Sequence, residues 1–119
     1  MAVLLMIEDL PAGFSYPAEF IRAVELELTK LEPWWILEGD ALFQRYKGLR
    51  ERYPARTLIP FAVRQDRDDV ACWEGTYARV VIIHDFADPG WEQREELDGF
   101  NAWLRRAIED FIEFGGGYG

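Results

Sequence analysis

Asp66, Asp68, Asp69, His84 and Asp85 are the side chains whose types could perform chemistry together. Carboxylates can hold a divalent ion that activates water, and an imidazole can take the proton as general base. Their spacing favours a different role. The run Asp66-Arg67-Asp68-Asp69 has neither the Gly nor the distant Glu of a calcium loop, and Arg67 would set a positive charge beside the ion. A hairpin turn whose Asp side chains bond nearby N–H groups is the stronger reading. His84 reads as the polar end of a strand; Asp85 follows it directly, and neighbouring strand residues point to opposite faces, so the two form no catalytic unit by sequence. Cys72, beside Trp73, reads as a packed thiol, since a nucleophile would need a nearby base to become thiolate. No catalytic residue, metal ligand or cofactor is therefore assigned. A small metal-dependent hydrolase using the Asp/His set is retained as the last-ranked alternative.

Composition narrows the classes further. One Cys and one His exclude an internal disulfide and a Cys/His zinc set. The chain has 119 residues and is half hydrophobic, enough to bury one core, and no apolar run reaches the roughly 18 residues of a spanning helix. The apolar stretch from Ala2 to Ile7 runs straight into Glu8 and Asp9 and lacks the basic flank of a secretory signal. The expectation is a soluble, cytoplasmic protein with no membrane association. A net charge of −9 argues against nucleic acid as a partner, because such binding needs cations to replace counterions along phosphates. The charge is uneven: between residues 41 and 56, Arg45, Lys47, Arg50, Arg52 and Arg56 face a single acid, Glu51.

The elements that must position these groups follow from periodicity. Pro17 suits a first helical turn, and Phe20, Val24, Leu28 and Leu31, with Ile21 beside them, recur at helical spacing until Pro33. Trp34 to Glu38 reads as a short strand, with Trp34 and Trp35 on opposite faces; Gly39-Asp40 then offers a turn and an N-cap. Leu42, Tyr46, Leu49 and Tyr53 define a second helix, which places the basic residues on its exposed face until Pro54. Leu58 to Arg64, Val70 to Trp73 and Arg79 to His84 read as strands joined by the acidic turn and by Gly75-Thr76; such short links enforce antiparallel pairing. Val80 to Ile83 is apolar on both faces, as in a central strand covered on both sides or one meeting helices on one face and a long loop on the other. A last helix opens near Asp98 with Phe100, Trp103, Leu104, Ala107, Ile108 and Phe111 as its buried stripe. The spacing thus predicts one α+β domain over residues 1–114: a twisted antiparallel sheet of about four to six strands flanked by N-terminal helices and a C-terminal helix. Residues 115–119 read as a flexible Gly-rich tail.

The succession Leu58-Ile59-Pro60-Phe61-Ala62, an acidic turn, Val70-Ala71-Cys72-Trp73, Val80 to Asp85, Pro89-Gly90-Trp91-Glu92 and a helix carrying Phe100, Trp103 and Leu104 resembles the SUKH superfamily. Leu10-Pro11, Tyr16 and Phe20-Ile21 loosely resemble the opening helix of that superfamily, which joins bacterial immunity proteins to fungal cell-wall synthesis regulators of the Smi/Knr type. The resemblance implies an α+β domain that binds another protein, often a toxin to be neutralised, and brings no catalytic residues.

Where such a partner would dock is read from charge and aromatic content. Trp73 and Trp103 belong to apolar stripes, whereas Trp91 follows Pro89-Gly90 and can be presented by a loop. Asp85, Asp88, Glu92, Glu95 and Glu96 surround it in sequence. Together these six residues form the expected docking surface for a basic protein, such as a toxin domain, with the charges raising association rate and Trp91 supplying contact energy. A regulatory or scaffold module unrelated to toxins is the alternative.

Overall fold

A computed structural model describes residues 4–5, 9–75 and 79–116 of the chain. The fold is α+β. After α1 (Ala18–Glu25) come β1 (Lys30–Leu31) and β2 (Trp34–Ile36), then α2 (Gly39–Arg52). The chain continues through β3 (Leu58–Arg64), β4 (Asp69–Glu74), β5 (Val80–His84) and β6 (Gln93–Leu97) to α3 (Phe100–Gly116). The six strands form one antiparallel sheet in sequence order, β1 to β6.

Alternation along the central strands divides the interior in two. On one face Ile59, Phe61, Ala71, Trp73, Val80 and Ile82 meet α1 and α3 through Phe20, Val24, Phe100, Trp103 and Ala107. On the other, Leu58, Val70, Cys72, Val81 and Ile83 meet α2 through Leu49 and the residue that ends it, Tyr53. Burial on both sides is why β3 to β5 read as continuous apolar runs. The first core is aromatic: Trp73 stacks on Phe61 at 4.3 Å, Phe20 meets Trp73 edge-on, and Trp34 meets Trp103 edge-on. Such pairs add roughly 0.5–1.5 kcal/mol each beyond burial alone.

Several local expectations are corrected. The first helix ends at Glu25, well before Leu31, because Glu27 takes φ +60° and the chain closes a Schellman cap. Leu28 N donates to Ala23 O and Glu27 N to Val24 O, so Leu28 is left exposed and Leu31 enters β1. Asp40 lies in the first turn of α2 and Glu38 holds the N-cap position, so the Asp carboxylate acts on the helix dipole without capping. The buried stripe of α3 stops at Ala107, and Ile108 and Phe111 face outward with Ile112 and Phe114. Gln93–Leu97, to which periodicity assigns no element, forms β6; its charges suit an edge strand, where they block pairing with other chains. The helix also continues through Gly115 and Gly116. Thr76 of the expected turn, most of the Ala2–Ile7 stretch and the last part of the tail, residues 117–119, lie outside the described residues. No helix among the described residues is long and apolar enough to cross a membrane.

Candidate binding loop

The link between β5 and β6, Asp85 to Glu92, is short of regular structure yet fixed at many points. Asp85 is fully buried beneath α2. Arg52 donates Nε to its Oδ1 and Nη2 to its Oδ2, both at 2.7 Å, and Arg45 Nη1 reaches Oδ2 at 2.8 Å. Phe86 N also donates to Asp85 Oδ1, and Asp85 N donates to Asp68 O on the neighbouring turn. Arg45 and Arg52 are seven apart, two helical turns, and so project from one face of α2. At the other end Glu92 is buried, accepting from Arg56 Nη1 at 2.8 Å and from Gly90 N at 2.6 Å. Arg56 simultaneously grips Glu74 of β4 through Nε and Nη2. Between the ends, Tyr53 OH donates to Ala87 O at 2.7 Å and His84 N to Glu92 O at 2.7 Å.

Electrostatics follow the geometry. Burial pushes the Asp85 carboxyl upward, but the bonds from Arg52 and Arg45 outweigh it and hold the group below the usual carboxylate range. Glu92 behaves likewise: burial raises it, Arg56 and the Gly90 N–H prevail, and the net direction is down. Both loop ends are thus anchored by ionised carboxylates.

What the clamped loop displays is aromatic. Trp91 is 81% exposed and Phe86 63%. Phe86 has φ +69°, a conformation unfavourable for a bulky side chain, and Arg52 lies over its ring at 4.2 Å. Among the described residues no ion pair is made by Asp88, which is exposed beside Trp91.

The six residues expected to form one acidic surface are therefore split. Trp91 and Asp88 are exposed. Asp85 and Glu92 do not lie on the exposed surface: they are buried and paired with arginines. Glu95 and Glu96 alternate across β6, Glu95 pairing with Arg106 of α3 and Glu96 with Arg79. The basic stretch is corrected with them, since Arg45, Arg52 and Arg56 turn inward to the loop while Lys47 and Arg50 remain exposed. Phe86 went unread by sequence reasoning; its one signal was a lone bulky apolar residue between Asp85 and Ala87, which periodicity treats as noise.

The Asp/His set is dispersed too. Asp69 and His84 are register partners on β4 and β5, with His84 Nδ1 3.2 Å from Asp69 Oδ1. They line a cavity of about 310 Å³ with Arg64, Arg67, Arg94 and Arg106, and no Ser, Thr or Cys stands in that lining. Asp85 lies on the opposite sheet face, and Asp66 is paired with Arg64. No group of three or more His, Cys, Asp or Glu that could hold a metal occurs among the described residues. Cys72 is enclosed in the second core, and burial pushes its thiol well up, away from thiolate. No family model, curated protein or solved structure matches the chain.

Proposed function

We propose that this chain is a non-catalytic protein-binding module whose interface is centred on the Asp85–Glu92 loop, with Trp91 as anchor. The observation that carries this reading is a tryptophan left 81% exposed on a loop whose two ends are held by buried carboxylate–arginine clusters. An apolar ring of that size facing water is unfavourable in the free protein, and its rigid support removes most of the ordering entropy that docking would otherwise cost. Tryptophans at the centre of interfaces are typical energetic hot spots, worth about 2 kcal/mol or more on truncation. The net charge of −9 favours a basic partner through its long-range field, with Asp88 placed to make contact beside the ring. Together with the resemblance to immunity proteins, this supports neutralisation of a basic toxin domain in bacteria, by occlusion of its working surface.

The test is paired capture from the native host. Wild-type chain and Trp91→Ala are immobilised and exposed to lysate at low and high salt, and bound proteins are identified by mass spectrometry. The reading expects a basic protein retained by wild type, lost or sharply reduced with Trp91→Ala, and toxic to cells unless the wild-type chain is co-expressed. Equal retention by the variant would place the interface elsewhere; a captured protein without toxicity would leave a binding module of the regulatory kind.

A further inference from the structure

The sheet face that α2 packs against is not fully covered. Beside the helix, a groove of about 660 Å³ opens over β2 and β3, within the roughly 300–1,000 Å³ range of small-ligand sites. Trp35 and Val63, register partners across the two strands, lie in its lining with Ile36, and Phe86 flanks them from the β5–β6 loop. Trp35 remains 43% exposed there. The polar lining is unlike the rest of this acidic chain: Lys30, Arg45 and Arg52 contribute three positive charges against one carboxylate, Glu38. Asp85 neutralises part of this charge but not its hydrogen-bonding capacity. Arg45 gives it only Nη1, and Arg52 only Nε and Nη2. Among the described residues, Arg45 Nε and Nη2 and Arg52 Nη1 make no hydrogen bond.

We propose that this groove is a binding site for an amphipathic carboxylate, its apolar body lying against Trp35, Val63 and Phe86 and its carboxylate taken by the free N–H groups of Arg45 and Arg52. Guanidinium groups suit this task because their planar donors match a carboxylate, and here Asp85 already holds both side chains in position. A cationic ligand would meet a lining that stays net positive with Glu38 and Asp85 counted, and a neutral one would leave the spare donors to water. Trp91 does not line the groove, so the site stands or falls separately from partner docking through that ring.

The experiment titrates the full chain with 4-biphenylcarboxylate and, separately, with neutral 4-biphenylmethanol, followed by two-dimensional amide and indole NMR. Saturable shifts are expected at the Trp35 indole N–H and the Val63 and Phe86 amides, with the carboxylate binding about tenfold tighter than the alcohol, as one charge-assisted hydrogen bond allows. Arg45→Gln should narrow the gap between the carboxylate and the alcohol, since Arg52 and Lys30 remain in the lining, while Arg52 keeps Asp85 paired. Trp35→Ala should weaken both ligands alike, and Trp91→Ala neither. The comparison of two ligands on the wild-type chain needs no variant to fold. Absence of saturable shifts, equal affinity for both ligands, or shifts confined to other surfaces would overturn the proposal.

Discussion

Gly48 sits in the interior of α2, where glycine is ordinarily inferior to alanine by about 0.5–1 kcal/mol. In most helices Gly48→Ala would therefore stabilise. Here the added Cβ would lie 2.6 Å from Arg52 Nη2 and 2.8 Å from Nη1, and the guanidinium has to move. That guanidinium donates twice to Asp85 and covers Phe86, so its displacement weakens the pairing of a fully buried carboxylate whose other donors are Arg45 and one backbone N–H. A hydrogen bond to a charged group is worth about 1.5–3 kcal/mol, and one of the two donors on Arg52 will be misaligned or lost. Setting this against the propensity gain, Gly48→Ala is expected to destabilise by about 1–2 kcal/mol. The assay is urea unfolding of four proteins: wild type, Gly48→Ala, Arg52→Ala and the double variant. With Arg52 gone the clash disappears, and Gly48→Ala should recover its ordinary gain of about 1 kcal/mol, reversing sign between the two backgrounds. An equal stabilisation in both backgrounds would refute the idea that glycine is needed there to let Arg52 cross to Asp85.

Other consequences follow from the same geometry. Asp85, Glu92 and Asp66 all titrate below their ordinary values, so their contribution to stability is fully present above the ordinary carboxylate range near pH 4 and is lost as pH falls through the depressed folded-state values. Urea midpoints measured from pH 6 to pH 2 should drop mainly below pH 4, and Asp85→Asn should flatten that drop. Glu27→Gly should raise stability by up to about 1 kcal/mol, read as a higher thermal midpoint, because glycine carries no penalty at φ +60°. Phe61→Ala should cost about 3–5 kcal/mol in urea unfolding, since its ring fills the space between Trp73, Phe20, Phe100 and Trp103.

What was legible in the sequence is what burial dictates. β3 was readable to its last residue and α2 nearly so, because two-sided burial and a clean helical stripe write long apolar patterns. The elements that escaped were those set by tertiary context. Glu27 closes a Schellman cap where no glycine announces it, so α1 looked two turns longer than it is. β6 is almost wholly polar and is a strand because β5 offers it a ladder. In the site, Trp91 was findable as a bulky ring after Pro89-Gly90, a segment with no apolar period to absorb it. The fate of the carboxylates was not: Asp85 and Glu92 look like surface charges in any window, and only the packing of α2 and the segment after it against the sheet brings Arg45, Arg52 and Arg56 onto them. Long-range charge pairing leaves no trace in local spacing.

The most direct test of the binding reading is amide hydrogen exchange on the full chain with its captured partner, comparing free and bound forms residue by residue. Newly slowed exchange is expected to concentrate between Phe86 and Trp91. Slowing confined to the outer face of α3, with the β5–β6 loop exchanging as it does in the free chain, would contradict it.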